Sequence, residues 1–157
     1  MLYTRFDSPL CAIILAGDRS GLAHLHLDTG KGSRAFSIDP DWKRDDAFFS
    51  PFREQIAEYF QGRRQAFDLV LNPQGTAFQK RVWTALREIP FGETRSYGEL
   101  AKTLGMPHGA RAVGRANGTN PIPLIIPCHR VISSHGQLTG FAHGLEAKQF
   151  LLDLEGV

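Results

Sequence analysis

The run Asn-Pro-Gln-Gly at residues 72–75 separates two stretches of the chain that differ in character. Proline lacks the amide proton that helices and sheets use, and glycine populates conformations that other residues avoid, so such a run ends regular structure. Short apolar segments of strand character precede it, and helical spacing of apolar residues follows it. We therefore expect two domains in this chain of 157 residues, covering residues 1–72 and 73–157.

The N-terminal part is predicted to be rich in β-strand. The segments CAIILAG and LAHLHLD are separated by a turn at residues 18–21, which predicts a hairpin. In LAHLHLD the side chains alternate in character, which is typical of a strand with one buried face. The same criteria assign three further segments: a loop at residues 29–42, a helix within residues 45–62 that ends near Gly62, and a strand at residues 67–72.

The C-terminal part is predicted to be mostly helical. Thr76 can cap a helix whose apolar residues recur at helical spacing until Pro90. Two short helices at residues 97–104 and 110–117 flank the turn Gly-Met-Pro-His-Gly, and a last helix covers residues 145–155. The two short helices resemble a helix-turn-helix, a pattern that many ordinary helical hairpins share.

Charge and side-chain size single out the second of these short helices. Residues 76–131 carry 8 Lys/Arg and 3 Asp/Glu, whereas residues 1–75 carry 9 and 10. A basic segment is compatible with contacts to a phosphate backbone, and equally with an ordinary solvated surface. Apart from Arg111 and Arg115, the helix contains mostly small residues, so its backbone can closely approach a DNA minor groove or a neighbouring helix.

Other features of the sequence exclude several classes of protein. There is no apolar run of about 18 residues and no signal-peptide core at the N-terminus, so we expect no membrane span and a cytoplasmic location. Two cysteines that lie far apart, Cys11 and Cys128, predict no disulfide framework. Cys11 follows the pattern of a buried strand residue, and the spacing of four zinc ligands is absent.

The candidate catalytic residues lie in the segment NPIPLIIPCHRVI, residues 120–132, in which an apolar run with three prolines leads to Cys128 and His129. A thiolate is the reactive form of cysteine, and a neighbouring base favours it. Adjacent side chains in a strand point to opposite faces, so His129 can act on Cys128 only from a turn-like conformation or through a water. An acidic third group would orient the imidazole, and the spacing leaves its identity open.

This segment resembles the active site of the O6-alkylguanine-DNA alkyltransferases, the methylated-DNA–protein-cysteine methyltransferase family, whose core is Pro-Cys-His-Arg-Val. The similarity runs from Gly75 to Gly156 through the blocks FQKRVWTAL, IPFGETRSYGELA, ARAVGRANGTNPIPLIIPCHRVI and GQLTGFAHGLEAKQFLLDLEG, and DSPL near the start also fits. The resemblance implies an α/β fold, in which an N-terminal α/β domain with an antiparallel sheet precedes a mostly helical domain containing a helix-turn-helix. It further implies direct-reversal DNA repair, in which Cys128 takes one alkyl group from O6 of guanine, or from O4 of thymine, without a cofactor and without turnover.

The resemblance assigns a role to each matching residue of the reaction centre. Cys128 is the alkyl acceptor, His129 activates it as a base through a bridging water, and Glu155 orients the imidazole. Asn120 is the hinge that ties the active-site loop to the helix-turn-helix. Tyr97 acts at the lesion, where its hydroxyl can hydrogen-bond or protonate the departing guanine oxygen.

The implied DNA contacts are Arg95, Arg111, Ala112, Gly114 and Arg115. An alkyl group on a stacked base is out of reach of a protein thiol, so the base must rotate out through the minor groove at a cost of a few kcal/mol. Arg111 is the side chain expected to fill the gap. The expected partner is double-stranded DNA containing O6-alkylguanine, bound by a monomer with no membrane association.

The implied substrate pocket contains Val131, Phe141 and Ala142. Many relatives have a tyrosine in place of Phe141 and a glycine in place of His143, so a changed pocket polarity and a more crowded loop are expected. Asp18 and Ala23 occupy two positions that are zinc ligands in certain animal relatives, and we expect no metal.

The sequence is also compatible with two other functions. A damage sensor or helix-turn-helix regulator would bind DNA without needing Cys128, since some relatives have lost the cysteine and only bind damage. A cysteine hydrolase would use Cys128 and His129 with turnover, but it needs an oxyanion hole, and no Gly-rich element is placed to form one.

Overall fold

The computed structural model describes residues 1–32, 35–136 and 141–157. In the N-terminal part, strands β1 (Leu2–Asp7), β2 (Ala12–Asp18) and β3 (Gly21–Asp28) pair in antiparallel fashion, and the short strand β4 (Lys43–Arg44) pairs in parallel with β1. The sheet order is β3-β2-β1-β4, and helix α1 (Ser50–Phe60) follows the sheet in the chain.

The C-terminal part contains the predicted helices α2 (Ala77–Arg87), α3 (Tyr97–Thr103), α4 (Ala110–Gly118) and α5 (Leu145–Leu154). The two-residue strands β5 (Arg95–Ser96) and β6 (Val131–Ile132) pair in parallel. Local sequence explains where the helices begin, because α2 and α3 each start with a capping box formed with Gln79 and Glu99. Helices α3 and α4 pack against each other across the turn between them, as the predicted helix-turn-helix requires.

A single apolar core extends across the two parts of the chain. Its buried members include Leu15 and Leu27 from the sheet, Phe49 before α1, and Val82 and Leu151 from the C-terminal helices. Backbone hydrogen bonds also cross between the parts, since the Leu25 amide donates to the Pro121 carbonyl at 2.9 Å. The mixed α/β fold expected from the sequence is therefore present, and its sheet directly supports the loop that follows Asn120.

The predicted strand at residues 67–72 is wrong. Only Leu71 pairs, in an isolated parallel bridge with Leu22. Residues 67–72 and the C-terminal part compete for the open edge of β3. Beyond Leu22, this edge forms its hydrogen bond with Pro121 of the C-terminal part. Val70 remains 68% exposed, as expected for a segment that runs outside the sheet.

The prediction that β3 has one buried face is also wrong, because nearly every residue of this strand is buried. The rings of Phe36 and Trp42 cover His24, and the ring of His143 lies 5.3 Å from that of His26. Cys11 is half-buried and precedes β2 rather than lying inside a strand. Two predicted segments, the loop at residues 29–42 and the motif block from Gly136, include residues 33–34 and 137–140, which lie outside the described residues.

Candidate active site

Asn120 holds both ends of a buried loop that leads to Cys128. Its side-chain amide donates to the Ile126 carbonyl at 2.8 Å, and its side-chain oxygen accepts from the Ile122 amide at 3.0 Å. Its backbone amide donates to the Asn117 carbonyl in α4 at 3.3 Å. The loop is therefore tied to the second helix of the helix-turn-helix through one residue.

The loop ends in a tight turn that sets the orientation of the cysteine. The Cys128 amide donates to the Ile126 carbonyl at 2.7 Å around Pro127, whose φ of −79° and ψ of 66° are those of an inverse γ-turn. Residues Cys128–Arg130 then form a single 3₁₀ turn. Leu124 has a φ of 74°, an unfavourable conformation for a leucine, within a loop whose backbone hydrogen bonds span this residue. Cys128 and His129 thus adopt the turn-like conformation that a nucleophile and its adjacent base require.

His129 is fully buried and contacts Glu155, with Nε2 of the ring 2.6 Å from Oε2 of the carboxylate. The other nitrogen, Nδ1, is buried and makes no hydrogen bond with any described residue. Burial lowers the pKa of His129, and the carboxylate of Glu155 opposes this effect. A neutral imidazole that donates from Nε2 to Glu155 keeps a lone pair on Nδ1, which makes Nδ1 the basic atom of the site.

Glu155 is the centre of a buried hydrogen-bond network. Arg130 donates to it from Nε at 2.7 Å and from Nη2 at 3.1 Å, and the Gly92 amide donates at 3.3 Å. The hydroxyl of Tyr59 donates to Oε2 at 2.6 Å. Burial alone would raise the pKa of Glu155, but the hydrogen bonds from His129, Arg130 and Tyr59 hold this pKa well below its usual range. The carboxylate is therefore ionised and accepts hydrogen bonds only.

Lys148 on α5 places a second positive charge in the interior. Its side chain is completely buried and donates to the Val131 carbonyl at 2.6 Å. Burial lowers the pKa of Lys148 to about 8, while the charge of Cys128 acts in the opposite direction. This electrostatic coupling is mutual, so an ammonium at Lys148 favours the thiolate of Cys128.

The sequence-based assignments omitted Tyr59, Arg130 and Lys148. Lys148 could have been found, because it is a charged residue between Ala147 and Leu151 on the apolar face of an amphipathic helix. Tyr59 carried no comparable signal, since its side chain continues the apolar face of α1 and its partner lies 96 positions away.

Four of the five predicted DNA contacts lie on α4. Arg111 and Arg115 are exposed and four residues apart, so they share one face of the helix. Ala112 and Gly114 are half-buried, and a Cβ atom at Gly114 would lie 3.7 Å from the ring of Tyr97. Gly114 therefore faces Tyr97, which is itself half-buried at the start of α3.

Arg95 belongs to β5 and lies directly beside Val131 in the parallel pairing with β6. It forms an ion pair with Glu93 at 3.1 Å and is half-buried. Val131 is fully buried, its amide donates to the Cys128 carbonyl, and its own carbonyl already accepts from Lys148. Any recognition of a base by the Val131 carbonyl must use its second lone pair.

The segment containing Phe141, Ala142 and His143 is held against β3. Nδ1 of His143 lies 3.2 Å from the Leu27 carbonyl, and the His143 carbonyl accepts from the Thr29 hydroxyl at 2.8 Å. The Phe141 ring packs against the His143 ring at 5.6 Å and is 9% exposed, whereas Ala142 is half-buried. The histidine at position 143 therefore anchors this segment to the N-terminal sheet.

Residues 1–32, 35–136 and 141–157 were searched for metal-binding clusters and for membrane-spanning helices. Nowhere in these ranges do three or more His, Cys, Asp or Glu side chains cluster in a way that could hold a metal ion. The helices in the same ranges are all too short or too polar to cross a bilayer.

Comparisons with known proteins cover nearly the whole chain. The model of the 6-O-methylguanine DNA methyltransferase DNA-binding domain matches residues 77–157, and the model of the ribonuclease-like domain of the same protein matches residues 1–73. A methylated-DNA–protein-cysteine methyltransferase of Methanosarcina acetivorans is 50% identical, over 99% of this chain and 99% of the relative. The protein of that name from Mycobacterium tuberculosis is 48% identical, over 98% of this chain and 91% of the relative. The crystal structure of Mycobacterium tuberculosis OGT in complex with DNA gives a TM-score of 0.90 at 46% identity, covering 99% of this chain and 92% of that one.

Proposed function

The chain belongs to the 6-O-methylguanine DNA methyltransferase family, as the active-site motif predicted, and we propose that it repairs alkylated DNA in a single, self-consuming reaction. The alkyl group moves from O6 of guanine in double-stranded DNA to the sulfur of Cys128. The relatives named above are methylated-DNA–protein-cysteine methyltransferases, and one similar structure contains DNA.

The observation that carries the proposal is the arrangement of Cys128, His129 and Glu155. A buried, ionised Glu155 accepts a hydrogen bond from Nε2 of His129, so Nδ1 is available as a base within one turn of the cysteine. His129 takes the thiol proton through a bridging water, and the thiolate attacks the alkyl carbon. The sulfur–carbon bond forms as the carbon–oxygen bond breaks. The guanine oxygen leaves with the electron pair and receives a proton from Tyr97, which regains one from His129 through solvent.

The product explains why no second cycle follows. A thioether at Cys128 has no labile proton and no good leaving group, so neither His129 nor water can regenerate the thiol. Each protein molecule therefore acts once. A cysteine hydrolase, in contrast, would form a thioester that water cleaves.

The exposed face of helix α4 supplies the contact with DNA. Its small residues allow close approach to the minor groove, and Arg111 fills the space left when the damaged base rotates out of the duplex. Asn120 couples this helix to the loop that carries Cys128. We assign residues 73–157 to DNA binding and alkyl transfer and residues 1–72 to their support. We further propose that the protein acts as a monomer in the cytoplasm, a reducing compartment in which the two cysteines stay thiols.

The test is the stoichiometry of transfer with an excess of duplex oligonucleotide containing O6-methylguanine. Intact mass should rise by one methyl group, peptide mapping should place it on Cys128, and lesion removal should stop at one event per molecule. The matched control is Cys11→Ser, which should react normally, whereas Cys128→Ser should not react. Sustained turnover would support a hydrolase, and lesion binding without a change in mass would support a damage sensor.

A further inference from the structure

Tyr59 connects the N-terminal part of the chain to the carboxylate that holds the proposed base. Its hydroxyl donates to Oε2 of Glu155 at 2.6 Å. Oε2 is the same oxygen that lies 2.6 Å from Nε2 of His129. Tyr59 is fully buried and Glu155 is 5% exposed, so bulk water has little access to replace the hydroxyl as a donor.

Packing fixes the direction of this hydroxyl. The Tyr59 ring lies on α1 and contacts the rings of Phe60, Phe67 and Phe91 at centroid distances of 5.5, 5.6 and 6.1 Å. The guanidinium of Arg130 lies over the same Phe91 ring, 5.8 Å from its centroid. Tyr59 and Arg130 therefore approach Glu155 as two rigid donors that share one aromatic support.

The two donors constrain Glu155 in complementary ways. Arg130 binds both carboxylate oxygens and supplies the compensating charge. Tyr59 binds only Oε2, the oxygen that faces His129. Burial and the neighbouring carboxylate raise the pKa of Tyr59, so the phenol keeps its proton and remains a donor. With Oε2 held as an acceptor, Nε2 of His129 must be the donor, and the lone pair of the ring is placed on Nδ1.

We infer that Tyr59 is a positioning residue for alkyl transfer, which holds Glu155 so that His129 presents Nδ1 to the proton of Cys128. This inference rests on the proposed function. It gives the N-terminal part a direct role in the reaction, in addition to its contribution to the core. The role is exerted through Glu155, and Tyr59 touches neither DNA nor the reacting atoms.

The experiment compares Tyr59→Phe with Thr4→Val. Tyr59→Phe removes the hydroxyl and keeps the ring contacts. Thr4 is the matched control, because its buried hydroxyl also donates to a carboxylate, that of Asp46, at 2.6 Å in the N-terminal sheet. With saturating O6-methylguanine duplex, Tyr59→Phe should lower the single-turnover rate roughly tenfold and leave the affinity for DNA unchanged. Thr4→Val should leave both unchanged.

A second comparison separates positioning from general destabilisation. In a Glu155→Gln background the carboxylate is gone, so adding Tyr59→Phe should lower the rate by less than about twofold. The inference is overturned by a normal rate in Tyr59→Phe, by an equal loss in Thr4→Val, or by the same tenfold loss in the Glu155→Gln background. Thermal unfolding identifies a temperature at which all variants are folded, and the rates are compared there. A wild-type protein that transfers no methyl group refutes the proposed function instead.

Discussion

The carboxylate network around Glu155 and the exposed face of α4 hold their functional side chains in opposite ways. Glu155 accepts hydrogen bonds from Tyr59, Gly92 and Arg130, and contacts His129, all in the interior. Arg111 and Arg115 instead extend into solvent from a helix of mostly small residues. The comparison shows that the protein itself holds the side chains around Glu155 in place, whereas the arginines that we propose to face DNA would gain their contacts only from the duplex.

This difference predicts that the two regions affect different steps. Changes within the network should alter the rate of transfer to Cys128 with any substrate. Changes on α4 should matter only where DNA must be bound or a base must be extruded.

Glu155→Gln should have the largest effect. A glutamine amide can donate to Nε2 of His129 and so favour the tautomer with its proton on Nδ1, which removes the base. The transfer rate should fall by at least roughly 100-fold, both with duplex DNA and with free O6-benzylguanine. The charge of Arg130 loses its partner in the interior, so the free energy of unfolding should fall by about 3–5 kcal/mol. Rapid-quench kinetics and urea unfolding measure the two effects.

The control for this change is Asp153→Asn on the same helix, whose exposed carboxylate contacts only Gln149 among the contacts that the structure describes. It should leave both the rate and the stability close to wild type. If Glu155→Gln slowed transfer from the duplex and spared free O6-benzylguanine, the network would serve DNA rather than the reaction.

Arg111→Ala should have an intermediate effect that depends on the substrate. Transfer from a duplex lesion should slow roughly 10- to 100-fold, because the gap left by the extruded base is no longer filled. Reaction with free O6-benzylguanine should be unchanged, since no base has to leave a stack. Arg115→Ala is the matched control on the same face, and it should weaken binding to all duplexes and reduce the salt dependence of that binding. Equal losses with both substrates in Arg111→Ala would refute extrusion and point to a role in the fold or the pocket.

The pH dependence should show the smallest effect near neutrality. Burial lowers the pKa of His129, so the neutral imidazole persists below its usual value of 6.5. The rate with free O6-benzylguanine should therefore stay nearly constant on acidification to pH 6.5 and decline only below it. Glu155 has a depressed pKa in the folded protein, so its stabilising contribution is present above its ordinary value of 4.5 and is lost as the pH falls through the folded value. A decline in rate that starts above pH 7 would contradict a buried, neutral base.

The parts of the structure that the sequence predicted are those that depend on local interactions. The N-cap at Thr76 and the spacing of apolar residues placed α2 correctly, because both act within one or two turns. The strand predicted at residues 67–72 failed because Pro121, about fifty positions away, takes the edge of β3. The strand propensity of a segment gives no information about which other segment pairs with the edge of a sheet.

The distinction between local and long-range interactions also applies to the candidate active site. Cys128 and His129 are adjacent in sequence, so their chemistry could be proposed from the residues alone. The contact with Glu155 was expected only through the family resemblance, and the contribution of Tyr59 was not expected at all, because a tyrosine on an apolar helix face is normally a core residue. Lys148 lies between these cases, since its sequence position is unusual but its partner, the Val131 carbonyl, appears only in the folded chain.

A double-mutant cycle on the duplex substrate with Glu155→Gln and Arg111→Ala measures whether the hydrogen-bond network around Glu155 and helix α4 act on separate steps. If the network sets the reaction and α4 sets extrusion, the two losses in the single-turnover rate should multiply in the double variant, within about twofold. A double variant no slower than Glu155→Gln alone, or one much slower than the product of the two losses, would show that the two regions act as a unit rather than on separate steps.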